Sequence, residues 1–97
     1  MEFEFSRHTA PATWHKNIDL NLMFLKYQEN YFNDLLACRG HVFVNEVLDS
    51  LGLARTKDGQ LCGWTKGEKI DFGCRIKHEA ISLWFNCRCI IDDAFES

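Results

Sequence analysis

The sequence has no long apolar run, no strong excess of either charge and no recognisable catalytic motif, and each absence narrows what the chain can do. No stretch approaches the roughly 18–20 continuous apolar residues that cross a bilayer, so a membrane-spanning helix is not expected. The net charge of −3 argues against general nucleic-acid binding, because neutralising phosphates takes clustered lysine and arginine. There is no phosphate loop, no nucleophile elbow and no convincing acid–base pair. His8, His15, His41 and His78 show no metal-ligand spacing. Asp71-Phe72-Gly73 matches the magnesium-binding tripeptide of protein kinases but lacks the accompanying glycine-rich loop, strand lysine and catalytic loop. Phe72 reads as core there and Gly73 as a bend. Cys38 and His41 lie three apart across a helix end, a poor place to stabilise a thiolate. The chain is therefore expected to act without catalysis. Internal repeats and low-complexity segments are also missing.

What is present suits one small domain, residues 1–97. Hydrophobic residues make up 46% and aromatics 13%, enough for a single core, since each aromatic side chain buries about 150–250 Å². The start, Met1-Glu2-Phe3-Glu4-Phe5, is acidic and alternating, the opposite of a secretory signal, so a cytosolic location is expected. Residues 1–17 read as a short strand or extended arm, broken at Thr9-Ala10-Pro11-Ala12.

From Asp19 to Arg39 the pattern is helical: Leu22, Leu25, Phe32, Leu35 and Leu36 form a stripe flanked by Met23 and Tyr31. Asn17 or Asp19 can cap its start, a start nearer Lys26 being the alternative because Asn30–Asn33 is a weak stretch, and Gly40 stands where a left-handed stop is wanted. His41 to Leu51 predicts a second amphipathic helix, with Phe43, Val44, Val47, Leu48 and Leu51 on one face. Gly40 alone would then join the two in a tight corner. Beyond Gly52, Asp58-Gly59 predicts a turn. Gln60–Trp64 and Ile70–Cys74 predict short strands, and Ile81–Ile91 predicts a longer one with period two. The expected class is α+β, with two consecutive helices packed on a two- or three-stranded antiparallel sheet.

Five cysteines are many for this length, but the odd count and the missing signal fit a disulfide scaffold poorly. Cys62, Cys74, Cys87 and Cys89 all fall in the β-rich half and offer four thiolates for a tetrahedral zinc. Cys62 and Cys74 stand alone rather than in paired knuckles, so buried free thiols are the preferred reading, with no cofactor.

Charge is unevenly placed. Arg55, Lys57, Lys66, Lys69, Arg75 and Lys77 face only Asp58, Glu68 and Asp71 within residues 55–77. This segment is either a solvated, loop-rich middle or a basic patch that docks an anionic partner. The two helices invite a helix-turn-helix reading, but the exposed positions of the second are Asn45, Glu46, Asp49 and Ser50, whose two carboxylates would repel phosphate. Trp84 falls on the polar face of its strand, and Trp64 lies near a loop. Tryptophan is enriched at interface hot spots, although a second layer would equally bury Trp84. Trp64, Trp84, Arg55, Lys57, Lys66 and Lys69 are thus the candidate partner-binding residues.

The string Arg39-Gly40-His41-Val42-Phe43-Val44-Asn45-Glu46-Val47, with Leu51–Lys57, Gly63-Trp64, Ile70–Gly73, Leu83–Asn86 and Ile90-Ile91-Asp92, resembles a family of small proteins from bacteriophages and mobile elements of Gram-positive bacteria. The resemblance covers about residues 30–92. Cys62, Cys87 and Cys89 replace small or apolar residues of that family, which supports the core reading of the thiols. The family brings no assigned activity and no catalytic residue. It implies a non-enzymatic protein in the cytoplasm of a bacterial host, binding a host protein and inhibiting a defence nuclease in the manner of an anti-CRISPR. The alternative is a small nucleic-acid-binding regulator that uses the helical corner and the 55–77 segment. An open sheet edge also offers a route to a homodimer.

Overall fold

The computed structural model describes residues 1–89, and Ile91, the last residue of the expected long strand, lies outside that range. In chain order the elements are β1 (Glu2–Ser6), α1 (Ile18–Arg39), β2 (His41–Phe43), α2 (Val44–Leu51) and a 3-10 turn (Asp58–Gln60). Then come β3 (Cys62–Thr65), β4 (Arg75–Lys77), β5 (Ala80–Trp84) and β6 (Arg88–Cys89). The class is α+β, as expected. Two antiparallel three-stranded sheets, ordered β1-β5-β4 and β2-β3-β6, take the place of the single sheet.

Helix α1 forms where the pattern puts it because both ends are capped. The Asn17 side chain accepts from the Asp19 amide at 2.8 Å. Gly40, at φ 90, closes the last turn through its N–H to the Leu36 carbonyl. The tight helical corner, in contrast, does not exist. His41–Phe43 is a strand paired with β3, so α2 has eight residues and begins at Val44. Glu46 makes that start work by accepting the Phe43 amide at 2.8 Å. Burial opposes ionisation of Glu46, but hydrogen bonds from Arg39 and the Phe43 amide outweigh it and hold the carboxyl below its ordinary range. A side chain at Gly63 would overlap the Val42 carbonyl oxygen, so glycine is what lets β2 lie this close to β3.

The expected Ile81–Ile91 strand is divided between the sheets. β5 belongs to the first sheet and β6 to the second, with Phe85 at the break. Its ring lies 5.0 Å from Phe3, 5.8 Å from Trp64 and 5.0 Å from Phe72, joining both sheets in one core.

Residues 70–74 alternate like a strand but join no ladder. Side chains take their amides, while the Phe72 and Asp71 carbonyls accept the Trp84 and Asn86 amides at 2.8 and 3.2 Å. Asn33 of α1 accepts the Ile70 amide and donates to its carbonyl, at 2.8 and 3.0 Å. Glu29 accepts the Phe72 amide at 2.9 Å, and Asn86 accepts that of Asp71 at 2.9 Å. Phe72 is fully buried, and Gly73 makes the bend at φ 58.

Within the N-terminal segment the short strand of the two readings is present at Glu2–Ser6. Strand β1 pairs with β5 along its length. Asn21, itself buried, accepts the His15 amide and donates to the His15 carbonyl, both at 2.8 Å. Thr13 donates to the Leu51 carbonyl at 2.6 Å.

Candidate protein-binding surface

Helix α1 is apolar on two opposite faces. Leu25, Phe32 and Leu36 are buried against the sheets, with Phe24 stacked on Phe5 at 5.9 Å. On the other side Leu20, Met23, Tyr27 and Tyr31 follow spacings of three and four and fall on one line. They are 44%, 66%, 72% and 52% exposed. At about 1.5 Å per residue the line runs for roughly 16 Å. It holds four of the seven exposed large hydrophobic residues among those described. Asp19, Lys26 and Asn30 border it as a polar margin. The face thus has an apolar centre carrying two tyrosines beside a polar edge.

The residues singled out from sequence are not gathered into one site. Trp64 is fully buried and donates its indole N–H to Asn86 Oδ1 at 2.7 Å. It belongs to the core, and no partner can reach its ring. Trp84 is 61% exposed, beside Glu2 and Arg75 on the sheet face turned away from α1. Arg55 is occupied by the Asp49 carboxylate, with Nε–Oδ1 at 2.9 Å, and this hydrogen bonding holds Asp49 below the usual carboxylate range. Lys57 precedes β3, whereas Lys66 and Lys69 follow it, and all three are exposed. The outward line on α1 was legible only in part: Met23 and Tyr31 stood beside the core stripe, while Leu20 and Tyr27 complete a second stripe of the same period.

The thiols also differ from expectation. The antiparallel register of β3 with β6 sets Cys62 opposite Cys89, and the two form a disulfide. That bond removes two members of the candidate zinc set, and among the described residues no three His, Cys, Asp or Glu side chains cluster as metal ligands. Cys38 and Cys74 are exposed free thiols, and Cys87 is half-buried. Desolvation of the sulfur, beside Leu22 and Leu25 of α1, then the Glu29 and Asp71 carboxylates, push Cys74 up to about 11. Burial pushes Cys87 up as well. Both stay protonated at neutral pH, which is unlike a nucleophilic cysteine.

The model of a family of unknown function, DUF6353, matches residues 5–94. The chain belongs to DUF6353. The DUF6353 match begins inside β1 and takes in all of α1, well before residue 30, where the sequence resemblance began. No curated protein and no solved structure matches this DUF6353 chain. Neither helix among its described residues is long and apolar enough to cross a membrane.

Proposed function

We propose that the protein acts without catalysis, by laying the outer face of α1 against another protein. The carrying observation is the unbroken line Leu20, Met23, Tyr27 and Tyr31, left exposed by a helix whose opposite face already fills the core. Apolar lines of this length on a surface helix fit an apolar groove or a partner helix, with tyrosines as anchors. The partner fitting the sequence resemblance is a bacterial host protein, occluded by a phage or mobile-element product; a defence nuclease is the target class it implies. Nucleic acid is less suited to this face, which carries Asp19 and Lys26 but no cluster of cations.

Affinity capture from bacterial lysate tests the proposal. The wild-type chain is expected to retain one protein reproducibly, and a Met23→Lys/Tyr27→Lys variant to bind it at least ~10-fold more weakly. Because both positions are exposed, the unfolding free energy should move by no more than about 0.5 kcal/mol. Capture that survives this variant, or salt-sensitive capture of nucleic acid instead, would count against the proposal.

A further inference from the structure

A cleft of about 690 Å³ opens between the N-terminal segment, the start of α1 and the β4–β5 hairpin. Its origin lies in the sheet. β4 is an edge strand, and its Ile76 pairs with Ile81, so both point to the helix side. Ile81 is fully buried there, while Ile76 lies beyond the cover of α1 and stays 59% exposed. Trp14 and Ile18 continue this apolar floor. Trp14 is braced from behind by Phe5, ring centroids 5.5 Å apart, and its neighbour His15 is fixed by Asn21. The floor is therefore pre-formed, as ligand pockets usually are.

The remaining lining has the opposite character. Arg7, Lys16, Lys77 and His78 also line the cleft, with Glu79 as the one acid among its lining residues, and Lys77 borders in addition a hollow on the other sheet face with Glu2 and Glu4. Among the described residues the ion pairs are Lys26–Glu29, Arg39–Glu46, Arg55–Asp49 and Arg88–Glu68. Arg7, Lys16 and Lys77 join none of them. His78 and Glu79 form the two-residue turn of the β4–β5 hairpin, where the positive φ of Glu79, 54, closes the turn.

We infer that this cleft binds a small amphipathic anion. An aromatic or aliphatic body seats on Trp14, Ile18 and Ile76, and a carboxylate or phosphate group is held by Arg7, Lys16 and Lys77. A neutral apolar ligand would cover the cations without pairing them, which costs desolvation. A bare inorganic anion would leave the apolar floor wet. The volume lies within the range of about 300–1,000 Å³ of small-molecule pockets. This site is independent of the α1 surface.

Titration with 1-naphthyl phosphate, followed by NMR at the Trp14 indole N–H and the Ile76 methyls, tests the assignment, with 1-naphthoate as the carboxylate arm. At least one of the two anions is expected to saturate a single site with Kd below about 1 mM. It should bind at least ~10-fold more tightly than 1-naphthol or inorganic phosphate. A Lys16→Gln/Lys77→Gln variant should weaken binding about 10-fold with an unchanged melting temperature, since both residues are exposed. Absence of saturation by either anion, equal binding of 1-naphthol, unchanged affinity in the variant, or shifts centred elsewhere would each overturn the assignment.

Discussion

Trp64→Ala is expected to lower the unfolding free energy by about 3–5 kcal/mol, the usual range for emptying a buried aromatic site. The residue is fully buried, its ring packs on Phe85 at 5.8 Å, and its indole N–H is donated to Asn86 at 2.7 Å. Asn86 is itself committed, accepting from the Asp71 amide and donating to the Lys69 carbonyl at 2.8 Å. Alanine therefore leaves a cavity where the two sheets meet and loosens the segment that Asn86 anchors. Domains of this size are stable by only about 5–15 kcal/mol, so the variant should lie near the edge of folding. Trp64→Phe should lose less, because the ring contact survives and only a hydrogen bond of about 1 kcal/mol goes. Urea denaturation of both variants checks this. A Trp64→Ala midpoint equal to wild type would return Trp64 to the surface.

The second large effect concerns the Cys62–Cys89 bond. It closes a loop with a sequence separation of 27, and cross-linking a loop of that length is worth about 3–4 kcal/mol through the unfolded chain. It also ties the two-residue strand β6 to β3. Cys89→Ala should cost about that much, and wild type in excess dithiothreitol should fall to nearly the same stability. The variant itself should not respond to reductant. Equal stability of wild type with and without reductant would mean that the bond contributes nothing, and the expectation of reduced thiols would then stand.

How far the sequence reaches depends on the kind of signal each element carries. Helix α1 was legible because its periodicity is long and both caps, Asn17 and Gly40, are local chemistry. Strand β2 was not, since Phe43 runs without a break into the helical spacing of Val44, Val47, Leu48 and Leu51, and three residues are too few to show a period of two. In the stretch 81–89 the alternation was real, but it reports which face a side chain takes, not which sheet the strand joins. Residues 70–74 show the same limit: Asn33 and Glu29, far away in sequence, take the Ile70 and Phe72 amides, and the main-chain bonds from Asn86 and Trp84 to Asp71 and Phe72 do not extend into a ladder. The disulfide depends on the register of β3 against β6, which an odd cysteine count conceals. Trp64 and Trp84 exchange ambiguity for opposite fates, one in the core and one on the surface, because burial follows from the layer above each strand.

The candidate surface was half legible for a related reason. A helix apolar on two faces has little net amphipathicity, so a search for one stripe finds the core and treats Met23 and Tyr31 as its margin. Only the sheets covering Leu25, Phe32 and Leu36 settle which stripe is left over.

The most direct measurement places a photo-reactive benzophenone side chain at position 27 and, separately, at position 57, and irradiates each protein in bacterial lysate. Both sites are exposed, but only Tyr27 lies on the outer line of α1. The account predicts one discrete protein adduct from position 27 and none from position 57. Adducts of equal yield from the two positions, or none from position 27, would contradict it.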